Sequence, residues 1–350
     1  MMKYLAGPLV IIAWGLMIEA GVTQRFEEAH GLTTVPGIKA GHHTLSERLT
    51  GCTVVLVENG AVAGVDVRGA APGTRETDLL DPRNTVQTVH AIVLAGGSAF
   101  GLNTAAGVMR YLEERNIGFE TRVARIPIVP AAILYDLSVG ENPRIRPTAE
   151  CGYQAALTAS TGPVAQGNVG AGAGATIGKL RGQDRAMKTG VGSISLRHSN
   201  GLIVAALVAV NSIGDIIDPS TGNVVADVRT PDGRKLADAR LLLRSGISDE
   251  AQPLENTTLG VVATNAHLTK VQVSQMAQMA HAGYARAITP VHTPYDGDTI
   301  FSLATGTWSG SVDMLTIGAL AADAVASAIV RSARMATGIK DYPAARDLVP

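Results

Sequence analysis

Aromatic side chains make up only 4% of the 350 residues, and cysteine only two, Cys52 and Cys151. Few large rings leave the core to small side chains, which favour close backbone packing, as in layered α/β proteins. Two cysteines exclude a disulfide scaffold. No Cys/His cluster has zinc spacing, and the adjacent pair His42-His43 would point to opposite sides of a strand. No metal and no cofactor are therefore expected. Charge of either sign is not in excess, since the net charge is -1. That balance offers nothing to a nucleic acid or an anionic membrane surface.

Long apolar runs are also scarce. The one at the N-terminus, within "MMKYLAGPLVIIAWGLMIEAGVTQ", runs from Leu5 to Ile18. It has the length of a signal-peptide core and is short for a membrane span. Ile18 and Glu19 stand where a cleavage site wants small residues. Residues 1–24 are thus a candidate signal peptide or apolar leader, and export to the periplasm is favoured slightly over a cytoplasmic location. No later segment is expected to span a bilayer. Residues 25–350 are expected to form one domain, ample for a large core.

What the chain does have is glycine (39 residues), alanine and valine in short patterned runs. "GCTVVLVENGAVAGVDVRG" predicts two strands joined by a hairpin at Asn59-Gly60. "AIVLAGG" and "GLIVAALVAVN" predict buried strands. The helix expected in "SAFGLNTAAGVMRYLEERN" has Leu102, Ala105, Ala106, Met109 and Leu112 on one face. "RPTAECGYQAALTAS" predicts another, with Pro147 near its first turn. Further helices are expected from about Thr269 to Ile288, with a stripe of Val273, Met276, Ala277, Ala280 and Tyr284, and from about Val312 to Ala336. Strand pairs mixed with core helices predict sheets covered by helices.

Several stretches could carry chemistry. In "PLENTTLGVVATN", Asn256, Thr257 and Thr258 stand just before a short β-branched run that predicts a buried strand. They could cap the strand, form an N-x-T glycosylation sequon, or present Thr257 as a nucleophile. "GNVGAGAGATIGKL" is not a phosphate loop, because Ala173 and Leu180 occupy required Gly and Ser/Thr positions. Its glycines imply close backbone approach, and Lys179 after eight small or apolar residues can point into a site. Asp296 and Asp298 flank Gly297 in "HTPYDGDTIFSLATG", either as a surface turn or as two carboxylates on one side of an extended segment. Asn211 ends a strand, as a turn residue or as a donor to an oxyanion. Tyr135 lies in an apolar segment, where a core tyrosine with a satisfied hydroxyl is the ordinary case.

In order along the chain, "PGIKAGHHT", "VDVRGAAPGTRETDLLDP", "AIVLAGGSAFGL", "AAILYDLS", "GNVGAGAGATIGKL", "VAVNSIGDIID", "ENTTLGVVATNA" and "HTPYDGDTIFSLATG" resemble the L-aminopeptidase/D-esterase family. That family includes β-peptidyl aminopeptidases and nylon-oligomer hydrolases. The resemblance runs from about Gly31 to Thr305. It implies a four-layer α/β/β/α sandwich, similar to N-terminal-nucleophile hydrolases but differently connected. It also implies self-cleavage between Asn256 and Thr257, into chains 1–256 and 257–350, and assembly into a homo-oligomer, a tetramer of processed chain pairs. By resemblance Thr257 is the nucleophile, and Asp296 and Asp298 orient it. Lys179 stabilises negative charge or tunes the amine, Asn211 serves the oxyanion, and Tyr135 donates a hydrogen bond. The substrates implied are small peptides, amides or esters. Where the aminopeptidase branch holds an acid for the substrate's free amine, this chain has Ile133. Endo-action on oligoamides is the alternative, and a catalytically silent binding protein a remote one.

Overall fold

A computed structural model of the chain describes residues 25–27, 30–246 and 256–348. The leader lies outside the described residues, as does most of the acidic stretch before Asn256. The main sheet has ten strands. Its backbone is the long strand Gly51–Val67, which pairs with Lys39–Thr44 and Thr88–Ala95 toward one end and with Thr299–Ala304 toward the other.

Three hydrophobic clusters show four layers. One packs Cys52, Val54, Leu56, Ala91 and Val93 against the helices Thr104–Glu113 and Ala149–Leu157. A second packs Val204, Ala206, Val208, Val262 and Ile300 against the helices Lys270–Ala287 and Met314–Met335. The third joins the opposite strand faces, with Val55, Ile92 and Leu94 meeting Leu207, Val261 and Phe301. The alternation has period 2 in every case: Val54 and Leu56 face helix while Val55 faces strand, as the pleat requires. The order is therefore helix, sheet, sheet, helix, with the sheet folded across the long strand.

That fold replaces the expected hairpin. Both halves of Gly51–Val67 pair antiparallel to the same strand, Thr88–Ala95, so the chain does not reverse at Asn59-Gly60. Leu56 pairs with Ala91 and Ala61 with Val89, so extra residues bulge out between them. Gly60 has φ +81° there, a conformation glycine adopts without strain. Tertiary pairing overrode a strong local turn signal.

Two helical expectations also need correction. Residues Ser98–Asn103 form a 3-10 segment before the α-helix Thr104–Glu113. Its buried face is Thr104, Ala105, Gly107, Val108, Tyr111 and Leu112, so Leu102, Ala106 and Met109 are only half-buried. Gly107 lies on that face because a side chain there would strike the Ala149 carbonyl of the neighbouring helix. The helix Lys270–Ala287 buries all five expected stripe residues, and Thr269 and Gln272 form a capping box at its start. Met314–Met335 is long and apolar enough to cross a membrane, contrary to the expectation that no later segment is. Most of its apolar surface is buried in the core instead.

Candidate active site

Strand order brings four chain segments to one point. Leu259–Thr264 and Thr299–Ala304 are parallel neighbours, with Leu259 opposite Thr299, so the residues preceding each emerge side by side. An isolated bridge pairs Asn256 with Asp296. The antiparallel strand Ile203–Ala209 ends opposite Leu259 and delivers Asn211 to the same end. The long strand ends opposite Thr299, and beyond it Arg68 N–H and Ala71 N–H donate to the carbonyls of Asp298 and Asp296 at 3.0 and 2.9 Å.

Thr257 is 3% exposed. Its N–H donates to Asn211 O at 2.7 Å, and its Oγ1 donates to the carbonyl oxygen of Asn256. The same carbonyl accepts Gly297 N–H at 3.0 Å. Gly297 must be glycine for this approach: a Cβ there would lie 2.6 Å from Thr257 Oγ1 and 2.6 Å from Ala71 O.

Lys179, on the glycine-rich run, is buried, and its Nζ donates to Asn211 Oδ1 at 2.8 Å. Thr176 N–H donates to that oxygen at 3.1 Å, and Asn211 Nδ2 donates to Tyr135 O at 2.9 Å. An ammonium and a backbone N–H can only donate and a carbonyl only accept, so Lys179, Thr176 N–H and Tyr135 O together fix the orientation of the Asn211 amide. Of Tyr135, it is the backbone carbonyl that these contacts bring to Asn211. The glycine run itself wraps a second lysine absent from the expectations. Lys188 is fully buried, and its Nζ donates to Gly172 O and Ala175 O at 3.0 Å each and to Thr189 O. Burial lowers its pKa to about 7. Carbonyls converging on an ammonium are the inverse of a phosphate cradle, which needs converging N–H groups.

The two carboxylates are held differently. Asp298, 1% exposed, accepts Thr258 N–H on Oδ1 at 2.8 Å. Its Oδ2 takes both the N–H and Nδ1 of His292, at 3.1 and 2.9 Å. Asp296, equally buried, accepts Thr293 N–H on Oδ2 at 2.8 Å, and its Oδ1 has no hydrogen-bond partner. Burial first, then the neighbouring Asp298, push the Asp296 carboxyl up to about 6, against the Thr293 hydrogen bond and the Lys179 charge. His292 and Gly297 were not among the sequence expectations. Nothing local marks His292, whose partner lies across a turn.

Ile133 is buried among Cys52, Val93 and Ala131. Asp136 cannot stand in for an acid there. It is fully buried, with Oδ1 accepting Gly97 N–H at 2.9 Å and Arg48 Nη2 at 3.1 Å, and Oδ2 accepting Thr50 Oγ1 at 2.6 Å. Among the described residues no group of His, Cys, Asp or Glu could hold a metal ion.

The profile of Peptidase family S58 matches residues 30–345. An uncharacterized aminopeptidase of Mycobacterium tuberculosis is 41% identical over 352 residues, covering 92% of this chain and 98% of that one. A 6-aminohexanoate-oligomer endohydrolase of Paenarthrobacter ureafaciens is 32% identical over 315 residues, covering 87% and 84%. Among solved structures, the L-aminopeptidase D-Ala-esterase/amidase of Ochrobactrum anthropi, a variant of the Ntn-hydrolase fold, superposes with TM-score 0.65 at 18% identity, covering 88% of this chain and 86% of that one. The fold is thus shared with that structure, and the chain is a hydrolase of amide bonds. It belongs to Peptidase family S58.

Proposed function

We propose that this hydrolase processes itself between Asn256 and Thr257 and then works through the new N-terminal threonine. The observation that carries the reading is the junction: Thr257 Oγ1 at the Asn256 carbonyl, with Gly297 N–H on the same oxygen. The Oγ adds to the carbonyl carbon, its proton passes to the departing amide nitrogen, and the C–N bond breaks to leave an ester and a free amine. Water then cleaves the ester, giving the Asn256 carboxylate and restoring the hydroxyl. Gly297 N–H faces the oxygen on which charge develops, as an oxyanion donor must. The new α-amine, with an ordinary pKa of about 7.7–8.0, is basic enough to take the Oγ proton near neutral pH. Asn211 O already accepts from that nitrogen.

In turnover the same Oγ attacks a small peptide, amide or ester. Asp296 and Asp298 orient it, Asn211 serves the oxyanion, and Lys179 and the Tyr135 carbonyl hold the Asn211 amide from its two ends. The processed pairs assemble into a homo-oligomer. The test of processing is intact mass together with N-terminal sequencing. Fragments of 256 and 94 residues are expected, the smaller beginning Thr257-Thr258-Leu259, before any removal of the leader. An active preparation made of one uncut chain overturns the proposal.

Lys179→Met should lower kcat at least about tenfold, or 1.4 kcal/mol, because the site loses a buried positive charge and Asn211 Oδ1 loses one of its two donors. A thermal melt controls for folding, and an unchanged kcat removes Lys179 from the site.

Within this class the substrate preference follows from Ile133. A buried substrate ammonium needs a carboxylate, since leaving it unpaired costs several kcal/mol. Ile133 supplies none, and Asp136 is committed to Arg48, Thr50 and Gly97. N-acetylation of a small amide substrate should therefore change kcat/KM by less than about tenfold, as an endo-acting oligoamide hydrolase requires. A loss beyond about a hundredfold, or 2.7 kcal/mol, would establish strict aminopeptidase action instead.

A further inference from the structure

We propose that His292 is a positioning residue for the reaction: two hydrogen bonds to one oxygen of Asp298 assign the negative charge of the carboxylate pair to Asp298 and leave the proton to Asp296. The inference rests on the reading of Thr257 as nucleophile with the aspartates beside it.

The asymmetry is geometric. Asp298 meets three nitrogens, Thr258 N–H, His292 N–H and His292 Nδ1, at 2.8 to 3.1 Å, and the Nδ1–H tautomer makes the ring the third donor. Asp296 is hydrogen-bonded on its side chain by Thr293 alone, and its second oxygen is buried without a partner. Two buried carboxylates that feel each other's charge do not ionise together readily, so the one with more hydrogen-bond donors takes the charge. Backbone N–H groups donate to either protonation state of a neighbour. The imidazole contributes the donor that a different side chain at 292 would lack. Its ring is fixed from behind, with its centroid 4.8 Å from His281 in an edge arrangement and 5.9 Å from Tyr284 in a stacked one. The backbone of His292 has φ +56°, an uncommon conformation for a non-glycine residue. In that conformation both the N–H and Nδ1 meet the same oxygen.

The titratable and charged groups around the pair come from every neighbouring element. Lys179 faces Asp296 from the glycine run. Tyr284 and His281 come from the helix Lys270–Ala287, and Asp298 is one cause of the raised Tyr284 hydroxyl pKa, after burial. Asp66 and Arg68 lie beyond His281, whose Nε2 meets Asp66 O at 3.0 Å. After self-cleavage the Thr257 amine joins them. His281 is held neutral near pH 7, since burial lowers its pKa to about 4. It therefore supplies no competing cation.

The test uses two variants of the processed enzyme. His292→Gly keeps the backbone N–H and accepts the positive φ, but removes Nδ1. His292→Asn tolerates the same φ and offers an amide N–H near the position of Nδ1. Losing the donor destabilises both the singly and the doubly ionised pair, so the carboxyl ionisations move upward. His292→Gly should lower kcat at least about tenfold and raise the carboxyl ionisation seen below the Thr257 amine limb of the kcat/KM profile by about half a pH unit or more. His292→Asn should return both most of the way. A merely structural role would lower the melting temperature and leave the pH profile in place. An unmoved profile in His292→Gly, or equal losses in both variants, overturns the proposal. If His292→Gly does not fold, His292→Asn decides alone: activity within about fivefold of wild type supports it, and a loss beyond about tenfold overturns it. Thr257→Ala runs alongside as a separate control. Activity surviving in Thr257→Ala defeats the nucleophile assignment, whatever His292 does.

Discussion

Thr257→Ala should accumulate as a single uncut chain with amide hydrolysis reduced about 10⁴-fold or more, or some 5.5 kcal/mol of barrier. The substitution removes the one oxygen that sits at the Asn256 carbonyl. It leaves the Thr257 N–H to Asn211 O and the Gly297 N–H to Asn256 O in place. Folding should therefore survive while both reactions stop, because processing and turnover use the same hydroxyl. Thr257→Ser keeps the hydroxyl and should still process. Denaturing electrophoresis, intact mass and a thermal melt on the three proteins check this. Cleavage of Thr257→Ala at the same bond would show that another nucleophile, or an external protease, cuts the chain.

Replacing the two aspartates should slow turnover in both cases, at least about tenfold, while shifting stability in opposite directions. Asp298→Asn puts an amide NH₂ where donors already converge on both oxygens. One donor then faces another in a buried place, so this variant should melt lower at every pH. Asp296→Asn removes a group whose pKa rises from 3.8 to about 6 on folding. Between those values the folded chain binds more protons than the unfolded one, so stability falls as pH rises through about 4 to 6. Above that window the ionised carboxyl costs on the order of 2–3 kcal/mol. Asp296→Asn should therefore raise the melting temperature at pH 8 and lose that advantage near pH 4, while its turnover is impaired. Melts across that pH range, beside steady-state kinetics, are the measurement. A lower melting temperature for Asp296→Asn at pH 8, or wild-type turnover in either variant, would return the aspartates to the role of turn residues.

Ionising Asp296 beside Asp298 is a stability cost placed at the site of the chemistry. The same site holds a histidine with positive φ and an orphaned carboxyl oxygen. Among the described residues, Asn256 Oδ1, Thr258 Oγ1, His292 Nε2 and Asp296 Oδ1 are all buried here without a partner, while others lie elsewhere, at His42, Gln183 and Asp227.

The sequence by itself determined most of the layers. The continuous apolar runs "GLIVAALVAVN" and "LGVVAT" were legible as strands buried on both faces, and in the fold one face meets helices and the other the opposing sheet half. The stripe Val273, Met276, Ala277, Ala280 and Tyr284 is buried as helical spacing demands. Hydroxyl and acidic residues just before apolar strands were legible as candidates for the same reason, since a strand entrance is where a polar group can sit at the edge of a core. Tertiary structure alone decided whether those candidates meet. The Asn59-Gly60 turn signal lost to pairing of both flanking runs with one neighbour, which no local window contains. Asn256 lies beside Asp296 only because Leu259–Thr264 and Thr299–Ala304 are parallel neighbours in one register. Asn211 reaches Tyr135 across 76 residues and Lys179 across 32. The asymmetry between Asp296 and Asp298 is likewise a tertiary property: the two are alike in sequence, and what separates them is which backbone and imidazole donors the fold turns toward each.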